Sequence, residues 1–172
     1  CHTRDELLEV LESFKNEGIK NIVALRGDRP KEQPDWEPGP DNLAYASELV
    51  TLIRENFGDT FGIAVAGYPE GHVDTSSRIE DLDNLKQKVD AGADAVITQL
   101  FFDNRDFYDF RERYELAGIK VPLVAGIMPV LSRKGIMKMA GLCGARLPAK
   151  LLRRIQRVKD DEEVAKVGID WA

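Results

Sequence analysis

The feature that most constrains this chain is a unit that occurs four times in succession: an amphipathic helical stretch, a glycine, and a short apolar run. The first helix is expected from about Asp5 to Glu17, with Leu7, Leu8, Leu11 and Phe14 on one face. Thr3 and Glu6 have capping-box spacing, and Gly18 is the stop. Ile22-Val23-Ala24-Leu25 follows without polar alternation, as a strand covered on both faces reads. A second helix, about Asn42 to Asn56, turns Leu49, Val50 and Ile53 inward and leads past Gly58 to Ile63-Ala64-Val65-Ala66. A third opens on the capping pair Ser77 and Glu80, carries Ile79, Leu82, Leu85 and Val89, and passes Gly92 to Ala95-Val96-Ile97-Thr98. The fourth, about Asn104 to Ala117 with Phe107, Phe110 and Tyr114 inward, passes Gly118 to Leu123-Val124-Ala125-Gly126-Ile127.

Consecutive helix-strand units with buried strands require a parallel sheet with right-handed crossovers, either doubly wound or closed into a barrel. No G-x-G-x-x-G or Walker pattern occurs, which disfavours a dinucleotide-binding open sheet. Different polar groups stand at each strand's carboxyl end instead: Arg26 and Asp28, Tyr68 and His72, Gln99 and Asp103, Met128-Pro129. That distribution is the habit of the (β/α)8 TIM barrel, an α/β fold whose site is built from several strand ends. A full barrel takes about 250 residues, whereas this chain has 172, so it reads as a single domain that is only part of a barrel. N-terminal strands and a last strand are expected to lie outside it, a short fifth strand is expected near Ala145-Arg146-Leu147, and a final helix begins at about Asp161.

The 24 basic and 30 acidic residues leave a net charge of -6, which argues against nucleic-acid or anionic-membrane partners. Lys150, Arg153, Arg154, Arg157 and Lys159 run directly into Asp160, Asp161, Glu162 and Glu163, and read as a solvated helix face. Only Cys1 and Cys143 are present, without a Cys-x-x-Cys pair, so neither a disulfide scaffold nor a metal site is expected. The same cysteine usage makes a reduced, cytoplasmic setting the expectation, and with no apolar run of about 18 residues the chain reads as soluble.

Several residues could carry chemistry. Asp28 is either a ligand-facing carboxylate, beside a glycine that would let a ligand approach the backbone, or a turn aspartate ahead of Pro30 or partner of Arg26. His72, one of two histidines, is either structural or, with Tyr68, a contact for a flat polar cofactor. Asp81, Asn84 and Lys88 fall on one helical face that is either solvated or able to meet a ribose and a phosphate. Gln99 needs a partner for its amide, and such a group donates and accepts as a pterin edge requires. Phe101 and Phe102 either wall a pocket or join the core. No serine-histidine-acid or cysteine-histidine set can be assembled.

Together, Leu25-Arg26-Gly27-Asp28, Tyr45-Ala46, Ala66-Gly67-Tyr68-Pro69-Glu70-Gly71-His72, Asp81-x-x-Asn84-Leu85-Lys86-x-Lys88 and Thr98-Gln99-Leu100-Phe101-Phe102-Asp103 closely resemble methylenetetrahydrofolate reductases. Pro122, Gly126-Ile127-Met128-Pro129 and Leu147-Pro148 extend the likeness over nearly the whole chain. The resemblance implies an FAD-dependent oxidoreductase of one-carbon metabolism, ahead of methionine biosynthesis. Such an enzyme passes a hydride from NADH or NADPH to 5,10-methylenetetrahydrofolate by ping-pong kinetics, yielding 5-methyltetrahydrofolate, and forms homo-oligomers. It implies flavin contacts at Leu25, Arg26, Gly27, Asp28, Tyr45, Ala46, Tyr68, His72, Asp81, Asn84 and Lys88, and substrate contacts at Gln99 and Met139. Asp28 becomes the catalytic aspartate, stabilising the 5-iminium cation of the opened folate ring and lowering the flavin's reduction potential.

Three departures accompany the likeness. The family's general acid, a glutamate on the first strand, is expected upstream of Cys1, so this chain alone is expected to have little folate reductase activity. Gln87 replaces a commonly basic residue, and Met139 stands where some members carry an aromatic. Other flavin or pterin barrels, proline-dehydrogenase-like or folate methyltransferase, and a non-catalytic remnant are the competing expectations.

Overall fold

The computed structural model describes residues 2–27 and 37–172. Its elements run α1 (Arg4–Asn16), β1 (Asn21–Ala24), α2 (Ala46–Phe57), β2 (Gly62–Gly67), α3 (Arg78–Asp90), β3 (Ala95–Thr98), α4 (Asn104–Leu116), β4 (Leu123–Val124), α5 (Arg133–Cys143), α6 (Ala149–Arg157) and α7 (Asp161–Trp171). The sheet order is β1-β2-β3-β4, the order of consecutive units in a (β/α) barrel. β1 pairs parallel with β2, Ile22 opposite Ile63 and Ala24 opposite Val65. The residues gather into two compact units, Cys1–Ala66 with Asn84–Val96, and Gly67–Asp83 with Ile97–Ala172.

In the first unit, α1 starts where its sequence says. The Thr3 hydroxyl accepts from the Glu6 N–H at 3.3 Å, while the Glu6 carboxylate accepts from the Thr3 N–H at 2.8 Å. Helix α2 begins later than the periodicity suggests, because the Glu48 carboxylate takes the N–H groups of Ala44 and Tyr45 and fixes the entry there. Val50, Leu52, Ile53, Phe61, Ile63, Val65 and Val96 are buried. Cover on both strand faces is not what β1 shows: Val23 is 51% exposed while Ala24 is fully buried. In β2, Ile63 and Val65 fill the buried face and the half-buried alternate positions are Ala64 and Ala66. An apolar run can therefore hide an alternation between large and small side chains.

Arg54 closes the amino-terminal side of this unit. Its guanidinium donates to the carbonyls of Gly58, Phe61 and Gly92 and to Asp94 at 2.6–2.9 Å, and Asp94 also accepts the Ile63 N–H at 2.7 Å.

The second unit has a core of Phe102, Val130, Ile136, Leu151, Ile155 and Val164. Ser132 caps α5 by accepting from the Gly135 N–H, and Asp160 caps α7 by accepting from the Glu163 N–H. β4 is only two residues long, and the segment expected as a fifth strand, Ala145-Arg146-Leu147, is the loop between α5 and α6. Pro148 opens α6 with fixed φ, and Leu151 and Ile155, four apart, bury its inner face. The basic residues of α6 do form a largely solvent-facing stripe, with Arg154 paired to Asp170 on α7. Ile79, expected inward, is 74% exposed at the start of α3.

Candidate functional site

The carboxyl end of β1 runs out through Leu25, Arg26 and Gly27, all exposed. Gly27 has φ +75° and nothing within 4 Å of where a Cβ would stand, so the left-handed turn, not close packing, is what demands glycine there. Asp28 lies outside the described residues. In the same unit Tyr45 is 63% exposed just ahead of α2, Ala46 is half-buried as its first residue, and Asn84 is exposed on α3. Lys88, half-buried on α3, donates from Nζ to the carbonyl of Ala66 at 2.5 Å, which sets an ammonium at the carboxyl end of β2.

In the second unit the chain turns tightly after β2. The Gly71 N–H donates to Tyr68 O and the Thr75 N–H to His72 O, both at 3.1 Å. This brings Tyr68 and His72 together edge-to-face, ring centroids 4.6 Å apart. His72 Nδ1 accepts from the Asp74 N–H at 3.1 Å, which assigns the proton of the neutral ring to Nε2 and makes that nitrogen a donor. Asp81, in the first turns of α3, is buried.

Gln99 follows β3, its N–H donating to Gly67 O at 2.7 Å. Its side-chain oxygen folds back to accept the Leu100 N–H at 2.9 Å, which answers the pairing requirement and leaves the amide NH₂ to donate. Phe101 and Phe102 are both buried, so core is the job of each; Phe101 stacks on Phe107 at 5.2 Å. Gly126 comes so close to the Thr98 carbonyl that no side chain fits, and its N–H donates to Thr98 Oγ1 at 2.9 Å. Met139 is half-buried on α5, with the Cys143 thiol 3.7 Å from its sulfur; burial pushes that thiol's pKa up.

Sequence reasoning missed an ionic cluster in this unit. Arg146 donates its backbone N–H to both carboxylate oxygens of Glu70 at 3.1 Å and its guanidinium to both oxygens of Asp106 at 2.9 Å. Burial raises the Glu70 carboxyl above its ordinary pKa, and the Asp106 charge adds to this, while the Arg146 N–H pulls the other way. Asp103 caps α4 through the Arg105 N–H and pairs with its guanidinium, which holds its carboxyl at about 2. Arg78, Asp103, Asp106, Asp109, Arg146 and Lys150 line a cavity of about 800 Å³. Glu70 was visible as part of the Tyr68–His72 motif, but nothing local pointed to Arg146, 76 positions along the chain. Among the described residues there is no cluster of His, Cys, Asp and Glu fit for a metal, and no helix is long and apolar enough to cross a membrane.

A family model described as methylenetetrahydrofolate reductase matches residues 1–172. The chain belongs to the methylenetetrahydrofolate reductase family. It is 44% identical over 166 residues to the 5,10-methylenetetrahydrofolate reductase of Escherichia coli K12, covering 96% of this chain and 53% of that protein. It is 42% identical over 178 residues to methylenetetrahydrofolate reductase (NADH) 1 of Arabidopsis thaliana, covering 98% of this chain and 30% of that protein. The chain thus spans about a third to a half of the length of these relatives. A solved Clostridium thermocellum structure, described as an uncharacterized protein that binds two copies of 5-methyl-5,6,7,8-tetrahydrofolic acid, superposes with a TM-score of 0.58 at 16% identity. That superposition covers 98% of this chain and 56% of that one, and supports the reading of the fold as part of a (β/α) barrel.

Proposed function

We propose that this chain contributes part of the active site of an enzyme that reduces 5,10-methylenetetrahydrofolate to 5-methyltetrahydrofolate, with FAD as redox group and NADH or NADPH as cosubstrate. The observation that carries the proposal is the family match over all of residues 1–172. The donor set suits FAD, which presents a diphosphate, sugar hydroxyls and flat rings. Lys88 offers an ammonium held by Ala66 O, His72 an Nε2–H, Tyr68 an aromatic ring, and Arg26 and Asn84 exposed polar heads. When bound, FAD supplies hydride chemistry, one substrate after the other, hence ping-pong kinetics.

The chain's own residues then bind, orient and stabilise. Arg26, Gly27, Asp28, Tyr45, Ala46, Tyr68, His72, Asp81, Asn84 and Lys88 hold the cofactor. The Gln99 amide NH₂ donates to the pterin edge, and Met139 provides apolar cover. Asp28 supplies a fixed negative charge against the 5-iminium cation of the opened folate ring. The proton that ring opening needs comes, on this reading, from a glutamate preceding Cys1. A cytoplasmic homo-oligomer completes the proposal.

The test is to purify the full-length protein, record its visible spectrum and titrate the flavin-free form with FAD. A flavin-coloured protein that oxidises NADH or NADPH in a methylenetetrahydrofolate-dependent manner is expected, with Lys88→Met weakening FAD binding about tenfold, as loss of one charge-assisted phosphate contact implies. A colourless protein that takes up no FAD sinks the flavin reading, whatever folate it binds.

A further inference from the structure

The turn that carries Tyr68 and His72 is held from behind by two arginines, both within the second unit. Arg113 donates to Pro69 O at 3.3 Å while its guanidinium also grips Asp109 on the same helix at 2.8 Å. Arg146 reaches the turn differently. Its backbone N–H sits between the two oxygens of Glu70, its Nε stands 3.9 Å from the same carboxylate, and its Nη2 donates to both oxygens of Asp106, a carboxylate buried in α4. Glu70 is itself poorly exposed, its side chain 13% accessible. The α5–α6 loop, which has no regular structure of its own, is thereby pinned to α4 at one residue, and the same residue presents the donor that Glu70 needs.

We infer that Arg146 is a positioning residue for the cofactor-binding turn: its Asp106 anchor fixes the α5–α6 loop so that its N–H holds Glu70, and through Glu70 the placement of Tyr68 and His72. The inference rests on the reading of Tyr68 and His72 as flavin contacts. The chemistry explains the division of labour. Glu70 stands between Pro69, held by Arg113, and Gly71, whose N–H closes the turn on Tyr68 O, so a Glu70 that swings outward pulls on both sides of the Tyr68–His72 pair. A lysine in place of Arg146 keeps the charge but not the planar head that meets Asp106 through Nη2 while Nε faces Glu70.

The experiment compares Arg146→Met, Arg146→Lys, Glu70→Leu and, as control, Arg153→Met on the exposed side of α6, all in the full-length protein. Two quantities are read: amide hydrogen exchange of the flavin-free protein, and the FAD dissociation constant. Arg146→Met is expected to speed exchange at Gly71 and Thr75 about tenfold, what losing one charge-assisted hydrogen bond releases. Amides of α7 should keep their rates, and FAD binding should weaken about fivefold or more in step with the turn's exchange. Arg146→Lys falls between, and Arg153→Met changes neither. Glu70→Leu removes the acceptor without leaving Asp106 unpaired, so it must reproduce the same local exchange even where Arg146→Met folds poorly. Unchanged exchange at Gly71 and Thr75 overturns the inference, as does acceleration spread evenly through α4, α6 and α7. Tyr68→Ala separates the two readings. If it leaves FAD affinity intact, the turn is not a flavin site; if it weakens FAD while Arg146→Met does nothing at the turn, only the positioning role fails.

Discussion

Replacing Gly168 by alanine sets two effects of opposite sign against each other. Inside a helix, alanine is favoured over glycine by about 0.5–1 kcal/mol because the unfolded chain loses less entropy. Gly168 is buried on α7, however, and a Cβ there would stand 2.7 Å from the backbone N and C of Val130 and closer still to its carbonyl oxygen. Carbon atoms in contact prefer about 3.5–4.0 Å, so helix and strand-end segment must separate by roughly 1 Å. Val130 and Val164, 2% and 0% exposed, lie in the same core cluster and cannot follow independently. Overpacking of that kind costs about 1–3 kcal/mol or more, to which the opened contacts add roughly 0.8 kcal/mol per methylene. The clash wins, and the net loss expected is about 2–3 kcal/mol, or a Tm lower by roughly 5–10 °C for a domain of this size. Gly141 on α5 is exposed with nothing within 4 Å, so Gly141→Ala keeps only the favourable effect and should raise stability by about 0.5–1 kcal/mol. Urea unfolding and thermal melts of the two variants decide the matter. A Gly168→Ala protein as stable as Gly141→Ala would refute the close approach of α7 to Val130.

Other expectations follow from single contacts. Asp103→Ala should lose about 1 kcal/mol by removing the α4 cap, and Asp103→Ser should restore most of it. Because Arg105 depresses the Asp103 carboxyl from 3.8 to about 2, its stabilisation is complete above pH 3.8 and fades as pH falls toward 2; the serine variant should lack that acid limb in urea titrations. Glu70 has the opposite sign. Its pKa is raised from 4.5, so the folded state favours the neutral acid and stability from this group is present below pH 4.5 and lost as pH rises through the raised value. Glu70→Gln should flatten that decline, and a steeper one would contradict the burial argument. Arg133 donates to Ile155 O at 2.9 Å and to the carbonyls of Val158 and Lys159 at the end of α6, so Arg133→Met should cost about 1–3 kcal/mol in the urea midpoint. On the proposed mechanism, Asp28→Asn in the full-length protein should slow the folate half-reaction about a hundredfold and the pyridine-nucleotide half-reaction far less; stopped-flow rates that fall equally would remove its proposed electrostatic role.

What the sequence made legible were features whose cause is local. The Thr3–Glu6 capping box, the start of α4 at Asn104 and the limits of β3, closed by Gly92 and Gln99, all depend on neighbours a few positions away. Helix α5 escaped notice because Gly135 and Gly141 dilute its helical character, although Ser132 ahead of Ile136 and Ala140 was a usable signal. The false strand at Ala145–Leu147 arose from apolar residues that pack, partly buried, as a loop, and propensity cannot separate the two. At the candidate site, the Tyr68–His72 contact follows from the tight turn and could be read, whereas Arg146 with Glu70 and Lys88 with Ala66 O are made by folding over long separations. The role given to Asp28 comes from family likeness alone.

Arg54 binds turn carbonyls at the beginnings of β2 and β3, the opposite ends of those strands from Lys88 and Tyr68. Variation in a population of such proteins should therefore divide by position along each strand. Changes at Arg54, Gly92 or Asp94 would lower the amount of protein in the cell without altering the turnover of the molecules that remain. On the proposed function, changes at the other end would leave abundance intact and alter turnover itself.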